Sequence, residues 1–254
     1  MIRSEYNLAM TQVAVQGQVW NYQEIGDGTE TPILILHGWG RSLDEWRAIA
    51  QELSLEGPRK VYVVDLPGFG GSSMPKVKSI FEYSELVDEL CKYLGIKKII
   101  AVGHSLGGRI AIVLASKRPT FVERLILIDP AGVKQKSLKR NILKVGAKLF
   151  AWMPRQIREK IVHPLMDEDF RNSPAHQLLY RAIVKDDLRN DLQKITCPTQ
   201  VVWGENDTVL PVQLTHDYRK NLADARVRIV WGAGHDPHLS DFDQTLSIMK
   251  EGLL

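Results

Sequence analysis

The stretch Gly103-His104-Ser105-Leu106-Gly107 decides the fold of this chain. An apolar run over residues 98–102 leads into it, and a helical pattern over 109–115 follows it. A turn this tight between a strand and a helix leaves no room for side chains two residues either side of the serine. Gly103 and Gly107 supply none, so the Ser105 hydroxyl is left at the tip of the strand. The order strand, glycine-flanked serine, helix predicts a nucleophile elbow, and an ordinary glycine-rich turn is the alternative.

Composition places the chain among ordinary globular proteins. Of its 254 residues, 25% are charged and 44% hydrophobic, and the net charge of +3 is too small to indicate a nucleic-acid partner. Two distant cysteines, Cys91 and Cys197, make neither a disulfide framework nor a zinc site. The first residues lack the apolar core of a secretory signal, and no apolar run approaches a membrane span. We therefore expect a cytoplasmic protein.

Short apolar runs alternate with helical patterns along most of the chain. The expected strands are 33–36, 61–64, 99–102, 125–128, 200–203 and 227–231, and the expected helices are 43–54, 80–94, 106–117, 211–222 and 239–251. Continuously apolar strands are typical of a parallel sheet covered on both faces. Residues 11–24 alternate instead, which predicts an antiparallel hairpin at the sheet edge. The fold class is therefore α/β, with the functional residues at the carboxyl ends of the strands.

One long segment interrupts this alternation. About 65 residues between Pro130 and Ile195 carry helical patterns without a clear strand. A connection of this length is better explained by a helical insertion than by a loop. We predict a core formed by residues 1–130 and 186–254, with a helical cap over residues 131–185.

A serine needs a base to remove its proton and an acid to orient that base. His235 lies in a flexible turn after one predicted strand and is the expected base. Asp207 lies in the loop after the preceding strand and is the expected acid. Asp129, at the end of its own strand, and Glu205 are alternatives for the acid.

Three other histidines compete with His235 for a role. His238 forms an H-x-x-H pair with it, which suggests a metal, but the sequence offers no third ligand cluster. His104 precedes the serine, and neighbouring residues on an elbow point apart, so local packing or hydrogen bonding is expected there. His37 ends an earlier strand and is expected to organise its loop.

Two glycine-containing loops follow early strands. His37-Gly38-Trp39-Gly40 can turn backbone N–H groups toward the serine, so the N–H groups of Trp39 and Leu106 are the expected oxyanion hole. The loop at 67–71 also contains glycines, but their spacing matches no phosphate-binding pattern. It is expected to be a structural turn.

With these residues identified, the chain resembles the cap-bearing, esterase-like branch of the α/β-hydrolase superfamily. The resemblance is carried by the loop at 36–40, the turn at 65–70, the elbow, the stretch at 197–207 and Gly234-His235. It implies an eight-stranded, mostly parallel sheet, no metal and no organic cofactor. Carried over, Ser105, Asp207 and His235 form the triad, with Trp39 and Leu106 as oxyanion donors. Dehalogenase and epoxide-hydrolase relatives carry aspartate where this chain has serine.

The predicted cap is strongly basic. Residues 134–160 contain nine lysines or arginines and one acid, a local net charge of +8. Basic residues recur every fourth position opposite an apolar face, a pattern compatible with a weak contact to anionic membranes or with acidic substrates. Solvated lysines around a packed apolar face are the alternative. The residues expected to contact substrate are Gly38, His104, Leu149, Phe150, Trp152 and Met153.

The sequence thus predicts a carboxylesterase-like serine hydrolase that acts on a small-molecule ester or related acyl compound as a monomer or homodimer. The same triad can also cleave C–C bonds in diketone-type substrates or hydrolyse aminoacyl bonds. A ligand-sensing protein of the same fold with slow turnover is a further alternative.

Overall fold

The structure, a computed structural model, describes residues 10–134 and 173–254. Eight strands form one sheet in the order β1-β2-β4-β3-β5-β6-β7-β8. They are β1 (Thr11–Val15), β2 (Gln18–Ile25), β3 (Ile33–Leu36), β4 (Val61–Asp65), β5 (Ile99–His104), β6 (Val122–Ile128), β7 (Thr199–Gly204) and β8 (Ala225–Val230). β2 pairs antiparallel with both β1 and β4, and all other neighbours are parallel. The mostly parallel sheet with an antiparallel edge hairpin is therefore confirmed.

Strand composition follows position in the sheet. All four residues of the central strand β3 are buried, because helices cover both faces there. β8 lies at the edge, and its Arg226 and Arg228 are exposed while the residues between and after them are more covered. Charged side chains on an edge strand discourage pairing with another chain.

Eight α-helices surround the sheet in the described parts of the chain. They are α1 (Arg47–Ser54), α2 (Ile80–Tyr93), α3 (Leu106–Lys117), α4 (Pro174–Val184), α5 (Arg189–Leu192), α6 (Thr215–Asn221), α7 (Pro237–Ser240) and α8 (Phe242–Glu251). Single 3₁₀ turns, Leu43–Trp46 and Val212–Leu214, precede α1 and α6. The helix predicted over 239–251 starts earlier and is split at Asp241, whose side chain accepts a hydrogen bond from the Gln244 N–H and caps α8.

Two hydrophobic cores lie on opposite faces of the sheet. Successive strand residues point to opposite faces, so Ile33 and Ile35 enter one core while Leu34 and Leu36 enter the other. Helices α2 and α3 pack on the Leu34 side, and α1 and α8 pack on the Ile33 side. The carboxyl ends of the parallel strands then meet at one edge, where the predicted site residues lie.

Residues 135–172, the larger part of the predicted cap, lie outside the described residues. The boundaries 131–185 therefore stay a prediction. α4 falls within that range, and buried Arg109 of α3 anchors its end: its Nε donates to the Ile183 carbonyl at 2.7 Å and its Nη2 to the Asp186 carbonyl. Within 10–134 and 173–254, no helix has the length and apolar character needed to cross a bilayer.

Candidate active site

Ser105 occupies a strained turn between β5 and α3. Its φ of 48° and ψ of −106° lie outside the usual regions for a residue with a side chain. A Cβ on Gly103 would lie 2.5 Å from the Gly107 carbonyl oxygen, and one on Gly107 would lie 2.0 Å from the Leu36 carbonyl oxygen. Neither backbone atom can move aside, so both positions require glycine. The turn leaves Ser105 partly exposed at the carboxyl edge of the sheet.

A chain of two hydrogen bonds connects Ser105, His235 and Asp207. His235 Nε2 lies 3.1 Å from Ser105 Oγ, and His235 Nδ1 lies 2.7 Å from Asp207 Oδ2. A carboxylate can only accept, so Nδ1 carries a hydrogen and donates it to Asp207. Nε2 is then free to accept the hydrogen of the Ser105 hydroxyl. The structure thus brings together the three residues that sequence reasoning assigned to a triad.

Asp207 is fixed by its own loop. The side chain is fully buried, and its Oδ1 accepts hydrogen bonds from the N–H groups of Val209 and Leu210, each at 2.8 Å. Burial acts to raise the pKa of Asp207, but the bonds from His235 and Leu210 outweigh it and lower the pKa. The carboxylate is therefore ionised where it faces the imidazole.

A close approach of two loops places Asp207 beside His235. Gly204 ends β7, and a Cβ there would lie 2.0 Å from the Gly234 carbonyl oxygen in the loop after β8. The Asn206 N–H also donates to the Ala233 carbonyl at 2.8 Å. Only glycine at position 204 lets the loop that carries the acid touch the loop that carries the base.

The two alternative acids are placed differently. Glu205 is exposed and accepts a hydrogen bond from the Gly232 N–H at 2.9 Å, so it turns away from His235. Asp129, completely buried, has a carboxylate oxygen within 4.8 Å of ligand atoms of both Asp207 and His235. Asp207 holds the direct bond to the imidazole, with Asp129 behind it.

The loop after β3 is tied to the elbow. The Gly107 N–H donates to the His37 carbonyl at 3.1 Å. Within the parts of the chain that the structure describes, the backbone N–H groups of Trp39 and Leu106 have no acceptor. Leu106 opens α3, whose N-terminal end carries partial positive charge. Two unpaired N–H groups at this edge fit the predicted oxyanion hole.

His37 organises this loop as a neutral imidazole. Its Nδ1–H donates to the Gly38 carbonyl at 2.7 Å, and its Nε2 accepts from the Leu66 N–H at 2.9 Å. An added proton on Nε2 would face another N–H, and burial lowers the pKa of His37 to about 4. His37 thereby ties the loop after β3, which carries Trp39, to the segment after β4.

His104 and Gly38 lie behind the site rather than at its surface. His104 is 1% exposed, its ring centroid lies 5.1 Å from that of His235, and its Nε2–H donates to the His235 carbonyl at 2.9 Å. Gly38 is buried, and a Cβ there would lie 2.8 Å from His104 Nδ1. This burial does not fit the prediction that His104 contacts substrate, and it matches the local hydrogen bonding expected beside an elbow.

A second polar cluster surrounds His104. The ring of buried His238 stacks on Trp46 at 4.1 Å, and ligand atoms of His104, Asp236 and His238 lie within 4.8 Å of one another. His238 is thus grouped with His104 and Asp236, whereas His235, the other histidine of the H-x-x-H pair, is grouped with Asp129 and Asp207. Arg41 already binds Asp236 Oδ2 at 2.6 Å, so a guanidinium supplies positive charge to this carboxylate. A cation bound here would share the Asp236 carboxylate with Arg41.

An aromatic wall lies beside the predicted oxyanion loop. The Trp39 ring packs edge-on against Phe69 at 4.9 Å and against Tyr180 of α4 at 5.2 Å. His176 of α4 completes it and is hydrogen-bonded to the Gly68 carbonyl at 2.8 Å. Sequence reasoning assigned no site role to Phe69, His176 or Tyr180, because no local pattern reveals contacts across 30 to 140 residues. The glycine turn at 67–71 is structural, as expected, since it wraps the buried Asp65 carboxylate.

Four of the residues expected to contact substrate lie outside the described residues. They are Leu149, Phe150, Trp152 and Met153. The basic face of the predicted cap lies outside them too. These assignments, and the proposed contact with anionic membranes, stay predictions.

Comparison with known proteins agrees with this architecture. The sequence pattern of the alpha/beta hydrolase fold family matches residues 31–182. Monoacylglycerol lipase abhd6-B of Xenopus laevis is 28% identical over 244 residues, covering 82% of this chain and 71% of that protein. Lipase 1 of Psychrobacter immobilis is 27% identical over 252 residues, covering 90% of this chain and 78% of its own.

Solved structures extend the likeness over nearly the whole chain. A membrane phospholipase A described as a bacterial virulence factor superposes with a TM-score of 0.77 at 29% identity, covering 97% of this chain and 86% of that one. An esterase from Exiguobacterium antarcticum shares the fold at 21% identity, with a TM-score of 0.74 and coverage of 96% and 98%. With more than half of its residues matched by the family pattern, this chain belongs to the α/β-hydrolase family.

Proposed function

We propose that this protein is a serine hydrolase of carboxylic esters, with Ser105 as nucleophile, His235 as general base and Asp207 as orienting acid. The observation that carries the proposal is the hydrogen-bonded chain from Ser105 Oγ through both nitrogens of His235 to Asp207 Oδ2, at 3.1 and 2.7 Å. These are the contacts that general-base activation of a serine requires.

In the proposed reaction, His235 Nε2 takes the hydroxyl proton as Ser105 Oγ attacks the ester carbonyl. The imidazolium that forms is stabilised by the Asp207 carboxylate and then protonates the departing alcohol. Water attacks the acyl-enzyme by the same route, with His235 as base, and releases the carboxylic acid. No step needs a metal or an organic cofactor.

The negative charge of the tetrahedral intermediate is assigned to the N–H groups of Leu106 and Trp39. Both lack an acceptor among the described residues. Leu106 opens α3 and Trp39 lies in the loop after β3, and the bond from the Gly107 N–H to the His37 carbonyl holds these two segments together. Loss of one such donor in other serine hydrolases costs roughly 3–4 kcal/mol of transition-state stabilisation.

The substrate class is proposed from the aromatic wall of Trp39, Phe69, His176 and Tyr180. Aromatic rings beside the oxyanion loop provide apolar contact area for an acyl or aryl group. Relatives named as lipases, monoacylglycerol lipase and esterase support an ester of a hydrophobic acid. We therefore expect medium-chain or aromatic esters to be the better substrates.

The test is steady-state hydrolysis of p-nitrophenyl esters from acetate to palmitate, combined with labelling by a fluorophosphonate that reacts with activated serines. Wild-type protein should show saturable turnover and label once per chain. Ser105→Ala should lose both, by at least about a thousandfold in kcat. Ser116→Ala is the matched control, since Ser116 lies on the same helix and its hydroxyl only bonds the Val113 carbonyl. That variant should behave as wild type.

Two results would contradict the proposal. Turnover that survives in Ser105→Ala would exclude Ser105 as the nucleophile. Labelling of wild-type protein without ester turnover would keep the activated serine and exclude simple ester hydrolysis. C–C cleavage, aminoacyl hydrolysis or ligand sensing would then be the functions to test.

A further inference from the structure

A second carboxyl group, that of Asp129, lies behind Asp207 with no role in the proposed reaction. It follows β6 directly, and its backbone is fixed in the left-handed region at φ 39° with its N–H bonded to the Val202 carbonyl at 2.9 Å. The side chain is completely buried. A carboxyl in such a place needs hydrogen bonds or a proton to be tolerated.

The two oxygens of Asp129 have different surroundings. Oδ1 accepts a hydrogen bond from the Gly204 N–H at 3.0 Å, whereas Oδ2 is buried without a partner among the described residues. The nearest acidic neighbour is Asp207, which lies within 4.8 Å. Two carboxylates this close together in a buried site repel each other, which favours a proton on one of them.

The hydrogen bonds decide which of the two carries that proton. Asp207 accepts from the N–H groups of Val209 and Leu210 and from His235, and all three bonds favour the ionised form. Asp129 accepts one bond only. We propose that Asp129 is a positioning residue whose protonated Oδ2 donates a hydrogen bond to the Asp207 carboxylate and holds it in line with His235. This inference rests on the proposed role of the Ser105–His235–Asp207 chain.

Other titratable groups around Asp129 do not offer it a compensating positive charge. Asp207 in the loop after β7 and Asp236 in the loop after β8 both oppose its ionisation. His235 directs its Nδ1–H to Asp207, and Tyr218 of α6 donates to the neighbouring Pro130 carbonyl. Burial, followed by the contact with Asp207, raises the pKa of Asp129 to about 10. The proton is thus retained through neutral pH.

The proposal makes Asp129→Asn the informative variant. An asparagine has the same shape, its oxygen can still accept from the Gly204 N–H, and its amide can donate to Asp207 in place of the carboxyl proton. Asp129→Ala removes the donor. We expect kcat/KM of Asp129→Asn to stay within about threefold of wild type at pH 7, and that of Asp129→Ala to fall about tenfold, chiefly in kcat.

The pH profile separates positioning from mere packing. In wild-type protein kcat/KM should decline as the pH approaches 10, because loss of the Asp129 proton sets two carboxylates against each other. Asp129→Asn cannot titrate there and should keep its activity to higher pH. Equal losses in Asp129→Asn and Asp129→Ala at pH 7 would overturn the proposal, since they would show that a charge at position 129 is required.

Two readouts do not depend on turnover, so failure of this inference can be told apart from failure of the proposed function. Wild-type protein at pH 7 should show an infrared C=O band of a protonated carboxyl that is missing in Asp129→Asn. The folded chain also retains a proton on Asp129 that the unfolded chain has lost between about pH 4 and pH 10, so the contribution of this residue to stability falls with rising pH.

Asp129→Asn lacks this dependence. The ratio of its unfolding constant to that of wild type should therefore decrease by up to about tenfold per pH unit over that window. An unchanged infrared spectrum together with a constant ratio would refute the proton on Asp129, whether or not the protein hydrolyses esters.

Discussion

Two buried polar groups flank His235, and they hold it in different ways. The carboxylate pair, Asp129 and Asp207, bonds the imidazole itself through Nδ1 at 2.7 Å. In the imidazole cluster, His104 donates to the His235 backbone carbonyl and packs beside its ring, and His238 packs against His104. One group sets the proton positions of His235, and the other sets where its loop lies.

The difference shows that hydrogen-bond partners, more than residue type, decide what a buried polar group does. Asp207 is ionised because three N–H groups donate hydrogen bonds to it. Asp129 accepts a hydrogen bond from one N–H group, so its protonated form is favoured. The histidines follow the same rule: burial keeps the pKa of His104 well below its usual value, so it donates from one nitrogen without carrying a charge.

The largest effect should come from breaking the carboxylate pair at Asp207. Asp207→Asn keeps the shape but no longer offers a carboxylate to His235 Nδ1–H, so the imidazole loses its required tautomer. We expect kcat to fall about 10⁴-fold, measured with the best p-nitrophenyl ester. Glu205→Gln, two residues away on an exposed side chain, is the control and should stay within about twofold of wild type.

A smaller loss of kcat in Asp207→Asn would change the roles assigned to Asp207 and Asp129. If Asp207→Asn retained more than a tenth of wild-type kcat, Asp129 would be supplying the carboxylate in its place. The double variant with Asp129→Asn would then abolish what remained, and the roles of the two acids would have to be exchanged.

The next effect concerns stability in acid, where a buried neutral imidazole lowers the free energy of unfolding. His37 has a folded-state pKa of about 4 against an ordinary value of 6.5. Above pH 6.5 neither state binds the proton and the contribution of His37 to stability is complete. As the pH falls from 6.5 to 4, the unfolded chain takes up a proton that the folded chain refuses. The free energy of unfolding should therefore drop by about 3 kcal/mol from this residue.

Urea unfolding at pH 7, 5.5 and 4 measures this dependence. His37→Gln should be less stable at pH 7, because an amide cannot reproduce both imidazole bonds, to the Gly38 carbonyl and from the Leu66 N–H, but its stability should depend less on pH than that of wild type. His216→Gln, on an exposed side chain, should keep the wild-type dependence. Equal slopes in wild type and His37→Gln would mean that His37 accepts a proton in the folded state.

The smallest effect should come from the imidazole cluster. His104→Phe keeps a ring beside His235 and His238 but loses the donor to the His235 carbonyl, worth about 1 kcal/mol. We expect kcat/KM to fall about fivefold. Tm should change little, because the substitution also removes the buried, unpartnered Nδ1 of His104.

Arg41→Gln is the matched variant, because Arg41 contacts the loop of His235 through Asp236. It breaks an ion pair with Asp236 in which the arginine side chain is 38% exposed, so solvent screens it and the loss should be below about threefold. A larger loss from Arg41→Gln than from His104→Phe would show that the ion pair, and not the buried hydrogen bond, positions the loop of His235.

Local sequence determined the parts of this protein that depend on neighbouring residues. Continuous apolar runs gave β3 its bounds without error, and alternation gave the edge hairpin. The glycines around Ser105 indicated a turn that only glycine can make, and the strand-end positions of Asp207 and His235 indicated where an acid and a base would meet. These features can be recognised in the sequence because they arise from backbone geometry within a few residues.

Only the tertiary structure decided the rest. Asp129 and Glu205 were both open as alternative acids in sequence, but one lies behind Asp207 and the other faces solvent. The burial of His104, the Arg41 pair with Asp236 and the packing of Trp39 on α4 join segments 131 to 195 residues apart. The protonation of a buried group depends on all the neighbours that folding brings to it. Those neighbours come from distant parts of the chain, so no local sequence pattern identifies them.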